Sequence, residues 1–230
     1  MQMATAIDGH DDEPPGAAAA PPPAGLAGAS TTWVARSLVE RLSLAGKVAV
    51  VTGAGQGIGA ATCMALAEMG ADVALVDLPS KQAAMEAVAA AATAQFGVRA
   101  IVLPADATAR PEIDRVVSSA LGQLGSVGIA VATVGGNPKD AARGSVLEET
   151  PAHIQGTIDM TLLAGWNLLQ SVGRVMRDGG RGGAVVMIGS VMAEYSQQDA
   201  SGYSMCKAAL KQLARTAAHE LAPHVSLSAC

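Results

Sequence analysis

The sequence predicts an α/β fold in which helices cover both faces of a doubly wound parallel sheet. Short, continuous runs of apolar and β-branched residues alternate with helical patterns from residue 44 onward. Such runs are typical of strands that are buried on both faces. Strict alternation of strand and helix implies right-handed crossovers between parallel strands, which place the helices in two layers around the sheet. The expected architecture therefore has three layers.

Six strands and five helices are predicted along the chain. The first strand ends in glycines, and Gly70 ends the first helix. Each proline after residue 30 lies at a boundary between elements, where a missing amide hydrogen is tolerated. The predicted strands are Lys47–Thr52, Asp72–Asp77, Val98–Leu103, Ile129–Val134, Ala184–Ile188 and a sixth that begins at Val225–Leu227. The predicted helices are Ile58–Met69, Ser80–Phe96, one that begins at Pro111, Pro151–Met176 and Tyr203–Leu221.

The composition fits a packed domain and excludes several classes of protein. Half of the residues are apolar, 15% are charged and 26 are glycine, which indicates many tight turns around a buried core. A net charge of -5 with two Trp, two Tyr and one Phe offers nucleic acid neither a basic surface nor a stacking platform. No apolar run is long enough for a membrane helix. Three scattered cysteines predict no disulfide framework, no metal site and a cytoplasmic, reducing compartment.

Residues 1–43 are predicted to lie outside the folded domain, which spans residues 44–230. Five of the 11 prolines fall in the first 23 residues among alanines and glycines, so this tail is predicted to be disordered. Residues 30–43 have the pattern of a short helix. Acidic residues near the start argue against a secretory signal, whereas Arg36 and Arg41 leave an organelle address open.

A glycine-rich turn follows the first predicted strand. Residues 52–59 read Thr-Gly-Ala-Gly-Gln-Gly-Ile-Gly, and a helix is predicted to begin at Ile58. Glycines let the backbone approach a pyrophosphate, and the free N–H groups of a helix N-terminus attract its charge. The spacing of Gly53, Gly57 and Gly59 differs from the ordinary G-x-G-x-x-G fingerprint. A dinucleotide site is favoured over a tight turn without a ligand, because the turn follows the first buried strand.

Asp77 closes the second predicted strand, eighteen residues after Gly59. An acid at this distance is expected to accept both hydroxyls of an adenosine ribose. A 2′-phosphate would meet its carboxylate, and no arginine lies nearby in the sequence, so NAD is favoured over NADP. The alternative is an aspartate that caps the following helix.

Ser190, Tyr203 and Lys207 form the candidate catalytic group. Tyr203 and Lys207 are four residues apart on a predicted helix, which puts them on one face. An ammonium beside a phenol favours the phenolate, so the phenol can exchange a proton with an alcohol or carbonyl oxygen. Ser190 closes the fifth strand, where its hydroxyl can bind the same oxygen. The other tyrosine, Tyr195, has Asp199 at the same offset, so the pairing is not generic.

These motifs together resemble the classical short-chain dehydrogenase/reductase family over about residues 44–230. The matching pieces are TGAGQGIG at 52–59, Asp77, Asp106 after the third strand, Ser190 and YSMCK at 203–207. The resemblance implies a Rossmann-like fold and a homodimer or homotetramer, formed through the helices near 151–176 and 203–221. It also implies that Tyr203 is the acid/base, that Lys207 favours the phenolate and binds the nicotinamide ribose, and that Ser190 orients the substrate carbonyl.

By the same resemblance, Asp106 and the amide of Ala107 hold the adenine edge. The residues expected to contact the cofactor are Gly53, Gln56, Gly57, Ile58, Gly59, Asp77, Asp106, Ala107, Gly135, Tyr203 and Lys207.

The chain departs from the family pattern in three places. Ala132-Thr133-Val134-Gly135 stands where the family usually has Asn-Asn-Ala-Gly. Thr161 stands where an asparagine usually supports a proton relay behind the lysine, so a weaker relay through Thr161 is expected. Asn167 is six residues further on and is predicted to point to another side of the helix. The sequence stops at Cys230, which predicts a C-terminally truncated sheet with an exposed edge that favours association.

Three functional hypotheses remain open. The first is an NAD-dependent oxidoreductase that interconverts a secondary alcohol and a ketone, with Tyr203 handling the proton. The second is a non-catalytic nucleotide-binding or interaction protein, and the third is a truncated, inactive product. The complete Ser190, Tyr203 and Lys207 group favours the first hypothesis. The small-molecule substrate and the physiological direction are not specified by the sequence.

Overall fold

A computed structural model describes residues 38–138, 145–195 and 197–230, apart from the side chain of Val39. The predicted tail up to residue 37 lies outside the described residues, so its division from the folded domain stays a prediction. The strands are β1 (Val48–Thr52), β2 (Asp72–Val76), β3 (Ala100–Val102), β4 (Ile129–Ala132), β5 (Gly183–Met187) and β6 (Val225–Ala229). The helices are α1 (Leu38–Leu42), α2 (Gly57–Glu68), α3 (Gln82–Phe96), α4 (Arg110–Leu124), α5 (Pro151–Ile158), α6 (Ala164–Asp178) and α7 (Ser201–Leu221).

All six strands are parallel and form one sheet in the order β3-β2-β1-β4-β5-β6. The order reverses between β1 and β4, and ligands bind at such a switch point outside the carboxyl ends of the strands. Thr52 of β1 pairs with Val76 of β2 and with Ala132 of β4, which pairs in turn with Met187 of β5. The segments that follow these four strands therefore leave the sheet at one level.

Two apolar layers separate the sheet from its helices. On one face, Val51 and Leu75 pack with Cys63 of α2 and Met85 of α3. The opposite face packs against α4, α6 and α7 through Ile113, Val117, Leu168, Met176 and Leu210. The doubly wound, three-layer sheet predicted from the sequence is confirmed. At its edge, Ser226 and Ser228 of β6 are exposed.

Several of the predicted element boundaries were wrong by one or more residues, including the start of the helix predicted at Ser80, which is Gln82. The strand predicted over Val98–Leu103 is limited to Ala100–Val102, and the strand predicted to Val134 ends at Ala132. The helix predicted over Pro151–Met176 contains a π-helical turn at Asp159–Leu163, which separates α5 from α6. Finally, α7 begins at Ser201, two residues before Tyr203. These differences arise because hydrophobic runs continue beyond the hydrogen-bonded ladders, and because a π turn leaves no apolar period of its own.

Candidate active site

The glycine turn between β1 and α2 is packed on one side and open on the other. Gly53 and Gly57 have positive φ angles of 72° and 53°, which favour glycine. A Cβ atom on Gly59 would lie 2.1 Å from the carbonyl oxygen of Gly53, so this position excludes any side chain. A Cβ on Gly57 would meet nothing within 4 Å. The first residues of α2 thus expose their backbone to the cleft, as a phosphate cradle requires.

Asp77 follows β2 and faces this turn. Its Oδ2 accepts the N–H of Gly55 at 2.9 Å, and its Oδ1 accepts the N–H of Leu78 at 2.8 Å. These two bonds hold the carboxylate beside the turn. Lys81 lies on the same side, where its Nζ donates to Oε1 of Gln56 at 2.8 Å. Although no arginine follows Asp77 closely in the sequence, the cation of Lys81 therefore lies near its carboxylate.

Asp106 and Ala107 lie beyond β3 in a loop that α6 supports. Oδ1 of Asp106 accepts both the N–H and the hydroxyl of Thr108, at 2.9 and 2.8 Å. The side-chain amide of Asn167 donates to the carbonyl oxygens of Ala107 and Thr108, at 3.1 and 3.0 Å. Asn167 does point away from Thr161, as its helical offset predicted, and it ties α6 to the loop proposed to hold the adenine.

The segment after β4 is tied to β1 and to the π turn. The hydroxyl of Thr133 donates to the carbonyl oxygen of Thr52 at 2.6 Å. Oγ1 of the fully buried Thr161 donates to the carbonyl oxygen of Gly136 at 2.9 Å and accepts its N–H at 3.0 Å. Both of these contacts engage the Thr161 hydroxyl with the backbone. The geometry therefore supports a positioning role, while the relay predicted for Thr161 stays a prediction.

Lys207 and Tyr203 lie together where β5 ends. Nζ of Lys207 donates to the carbonyl oxygen of Ile188 at 2.6 Å and lies 5.6 Å from the ring centre of Tyr203. The Lys207 side chain is buried, and this burial lowers its pKa from the ordinary value of 10.5. A Cβ on Gly135 would lie 3.1 Å from the same Nζ, so this residue closes the site from the side of β4.

Ser190 and the start of α7 complete the group. Oγ of Ser190 accepts the N–H of Met192 at 3.1 Å, and the serine thereby caps a short 3-10 turn that packs against α7. The buried carboxylate of Glu149 accepts the hydroxyl of Ser201 at 2.7 Å. Because Ser201 is the first residue of α7, this bond helps to fix Tyr203 two residues later.

Tyr203 lines a cavity of about 290 Å³ at the carboxyl end of the sheet. A larger cavity, of about 900 Å³, lies at the opposite end, around Leu66, Ile129 and Ala184. The smaller one is the candidate substrate site because it contains the phenol. Its described lining residues are Gly136, Asn137, Met192, Gln197, Ala200 and Tyr203.

The structure brings the predicted residues to one end of the sheet and adds four more. Four residues that were not predicted bond to segments of the site or line its cavity: Lys81, Thr133, Asn137 and Asn167. Their partners are 20 to 81 residues away in the chain, so no short motif contains both. The Gly-Asn-Pro sequence at 136–138, which follows a strand, was the one local signal for Asn137.

A family model described as short chain dehydrogenase matches residues 47–230. The chain belongs to this family. Short chain dehydrogenases related to it include an uncharacterized oxidoreductase of Methylorubrum extorquens, which is 36% identical over 181 residues that cover 78% of this chain and 69% of that protein. Cyclohexanol dehydrogenase of a Rhodococcus species is 30% identical over 200 residues, which cover 81% and 73% of the two chains.

A solved structure adds a cofactor-bound comparison. Carveol dehydrogenase from Mycobacterium avium, in complex with NAD, has a TM-score of 0.74 and 26% identity, covering 81% of this chain and 70% of that chain. The present chain is thus an oxidoreductase of the short chain dehydrogenase family. In the part of the chain that the structure describes, no helix is long and apolar enough to cross a membrane.

The buried ammonium of Lys207 should make stability depend on pH. Because burial lowers its pKa, the folded chain binds fewer protons at Lys207 than the unfolded chain does, between the lowered pKa and 10.5. Stability relative to Lys207→Met should therefore rise with pH through this interval. We expect the difference in Tm between the two proteins to shift in favour of wild type from about pH 7 to about pH 9.5.

Lys211→Met is the matched control, since Lys211 is on the same helix and forms a surface ion pair with Glu194. Its Tm difference should not show the same upward trend. A pH-independent difference for Lys207→Met would show that Lys207 binds protons equally in the folded and in the unfolded chain, which would contradict this prediction.

Proposed function

We propose that the chain is an NAD-dependent oxidoreductase that interconverts a secondary alcohol and a ketone. One observation carries the proposal: the phenol of Tyr203 lines a cavity while the buried ammonium of Lys207 lies beside its ring. A short chain dehydrogenase with this pair has an acid/base positioned at the end of the sheet where its cofactor-binding residues also lie.

The residues of the cleft fit NAD(H). The turn from Gly53 to Gly59 would hold the pyrophosphate, and the space beside Gly57 is open for it. Asp77 would accept the hydroxyls of the adenosine ribose, while Asp106 and Ala107 would hold the adenine. Gly135 and Lys207 would lie on the nicotinamide side. When bound, the nicotinamide ring supplies hydride transfer.

In the oxidising direction, the residues of the chain handle the proton. Ser190 and Tyr203 would orient the substrate hydroxyl, and the phenolate oxygen of Tyr203 would take its proton. The substrate carbon would become a ketone as the hydroxyl proton passes to Tyr203, with the bound cofactor supplying the acceptor for the hydride that this carbon loses. The buried ammonium of Lys207 would lie beside the ring of Tyr203 while this proton is exchanged. In reduction, Tyr203 returns the proton to the carbonyl oxygen.

Removal of the phenol hydroxyl should separate binding from chemistry. We expect Tyr203→Phe to lower kcat by about 10²–10⁴, the usual contribution of a general acid or base, with the affinity for NADH nearly unchanged. The measurement is turnover of cyclohexanol with NAD⁺, together with NADH fluorescence titration. Tyr195→Phe is the matched control, because Tyr195 is the other tyrosine of the chain and is 72% exposed. Full turnover by Tyr203→Phe would refute the assignment.

The cofactor preference should depend on Asp77. A carboxylate about 4 Å from a phosphate charge is repelled by about 1–4 kcal/mol between bulk water and a protein surface. We therefore expect NADH to bind more tightly than NADPH, and Asp77→Asn to reduce that preference by about tenfold. The readout is the ratio of the two dissociation constants in fluorescence titration.

A double variant tests how Lys81 contributes to the cofactor preference. Its ammonium lies beside the same turn, so NADPH should gain most in Asp77→Asn and lose this gain in Asp77→Asn with Lys81→Met. Equal or tighter binding of NADPH by the wild-type protein would contradict the proposed preference for NAD.

We also propose a homo-oligomer formed through α6 and α7. The support is a partly apolar surface: Trp166 is 44% exposed and lines a cleft together with Leu213 of α7, beside Arg174, Arg177 and Glu220. Exposed patches of this kind are typical of association surfaces. Trp166→Ser should therefore lower the molar mass measured by light scattering, whereas Leu121→Ser, 40% exposed on α4, should not. A wild-type protein that is monomeric at high concentration would refute this proposal.

A further inference from the structure

The segment Gly136–Pro138 is fixed at three successive residues by the helix that follows it. Thr161 holds both backbone polar groups of Gly136. A Cβ on Gly156 of α5 would lie 2.7 Å from Cγ of Pro138, so a glycine at 156 permits their close contact. Between these two anchors, Asn137 lines the cavity that contains Tyr203.

The Asn137 amide is anchored at one end. Oγ1 of the fully buried Thr157 lies 3.3 Å from Oδ1 of Asn137 and 2.9 Å from the carbonyl oxygen of His153. The Thr157 hydroxyl has a single proton. If it is donated to Asn137, the amide oxygen faces Thr157; if it is donated to His153, the hydroxyl oxygen can instead accept from the amide N–H of Asn137. In either orientation, one polar end of Asn137 is held, and the other has no hydrogen-bond partner among the described residues.

The other described residues of the cavity wall are uncharged. Of the described lining residues, Asn137 and Gln197 carry carboxamides, Tyr203 carries a hydroxyl, and the others are apolar or glycine. The described wall has no charged side chain that would compensate the burial of an ion, so it suits a neutral molecule. An amide held on a wall recognises a polar atom that a simple alcohol lacks.

We propose that Asn137 is a specificity-determining residue that binds a second hydroxyl or carbonyl oxygen of a small, neutral substrate. The substrate class is thereby narrowed to diols, polyols and hydroxyketones. This inference rests on the proposed function, because it places the reacting hydroxyl at Tyr203 and the second oxygen at Asn137. An anchored amide that gains a partner on binding should discriminate against substrates without one, because otherwise its polar end loses water and gains nothing.

The first experiment compares two probes. Initial rates with NAD⁺ are measured for cyclohexanol and for the best of 1,2-, 1,3- and 1,4-cyclohexanediol. The wild-type kcat/KM should favour the diol at least about tenfold, and Asn137→Leu, which keeps the size but loses the amide, should reduce this ratio by about tenfold. Asn167→Leu removes the other asparagine of the chain, so it should weaken NAD⁺ binding without changing the ratio. A ratio that is unchanged in Asn137→Leu overturns the proposal.

The second experiment does not depend on turnover. The same two probes are titrated calorimetrically into Tyr203→Phe saturated with NAD⁺, where the ternary complex cannot react by the proposed route. The diol should bind at least about tenfold more tightly than cyclohexanol, and Asn137→Leu in this background should remove the difference. Equal affinities overturn the role of Asn137 even where both alcohols are turned over. By contrast, failure of NAD⁺ to bind, or full turnover by Tyr203→Phe, overturns the proposed function itself.

Discussion

Lys207 is 3% exposed, and its ammonium donates to the carbonyl oxygen of Ile188. Burial of such a charge costs several kcal/mol unless other groups compensate it, and no described carboxylate forms an ion pair with it. The ammonium lies 5.6 Å from the centre of the Tyr203 ring, so this costly charge stands directly beside the phenol.

The position of this charge depends on the register of the sheet. Because β1, β2, β4 and β5 end at one level, the backbone segments that follow them converge on a single cleft. Convergence leaves little space: Gly59 touches the carbonyl of Gly53, and Gly135 approaches Lys207 closely. Larger residues at these two positions would separate the glycine turn from β1 or move the ammonium. The site is thus a direct consequence of how the strands end.

The sequence was sufficient to predict those features of the structure that local sequence patterns determine. Buried β-branched runs specified the parallel sheet, and the four-residue offset of Tyr203 and Lys207 specified a shared helix face. The π turn at Asp159–Leu163 was not predicted, because its cause is tertiary: Thr161 within it bonds the backbone of Gly136. Lys81 and Asn167 were missed for the same reason, since each meets a partner on another element. Long-range contacts leave no periodic trace in the sequence.

Thr161, where the chain departs from the family pattern, connects the local sequence with these long-range contacts. An asparagine there would carry an amide with two polar ends, whereas threonine offers one hydroxyl, and both contacts of this hydroxyl go to Gly136. The side chain is short, so the loop after β4 must lie close to the π turn for these bonds to form. That proximity brings Pro138 against Gly156 and Asn137 within reach of Thr157. The threonine thus fixes the backbone of Gly136 directly before Asn137, so that the residue which lines the cavity follows an anchored position of the chain.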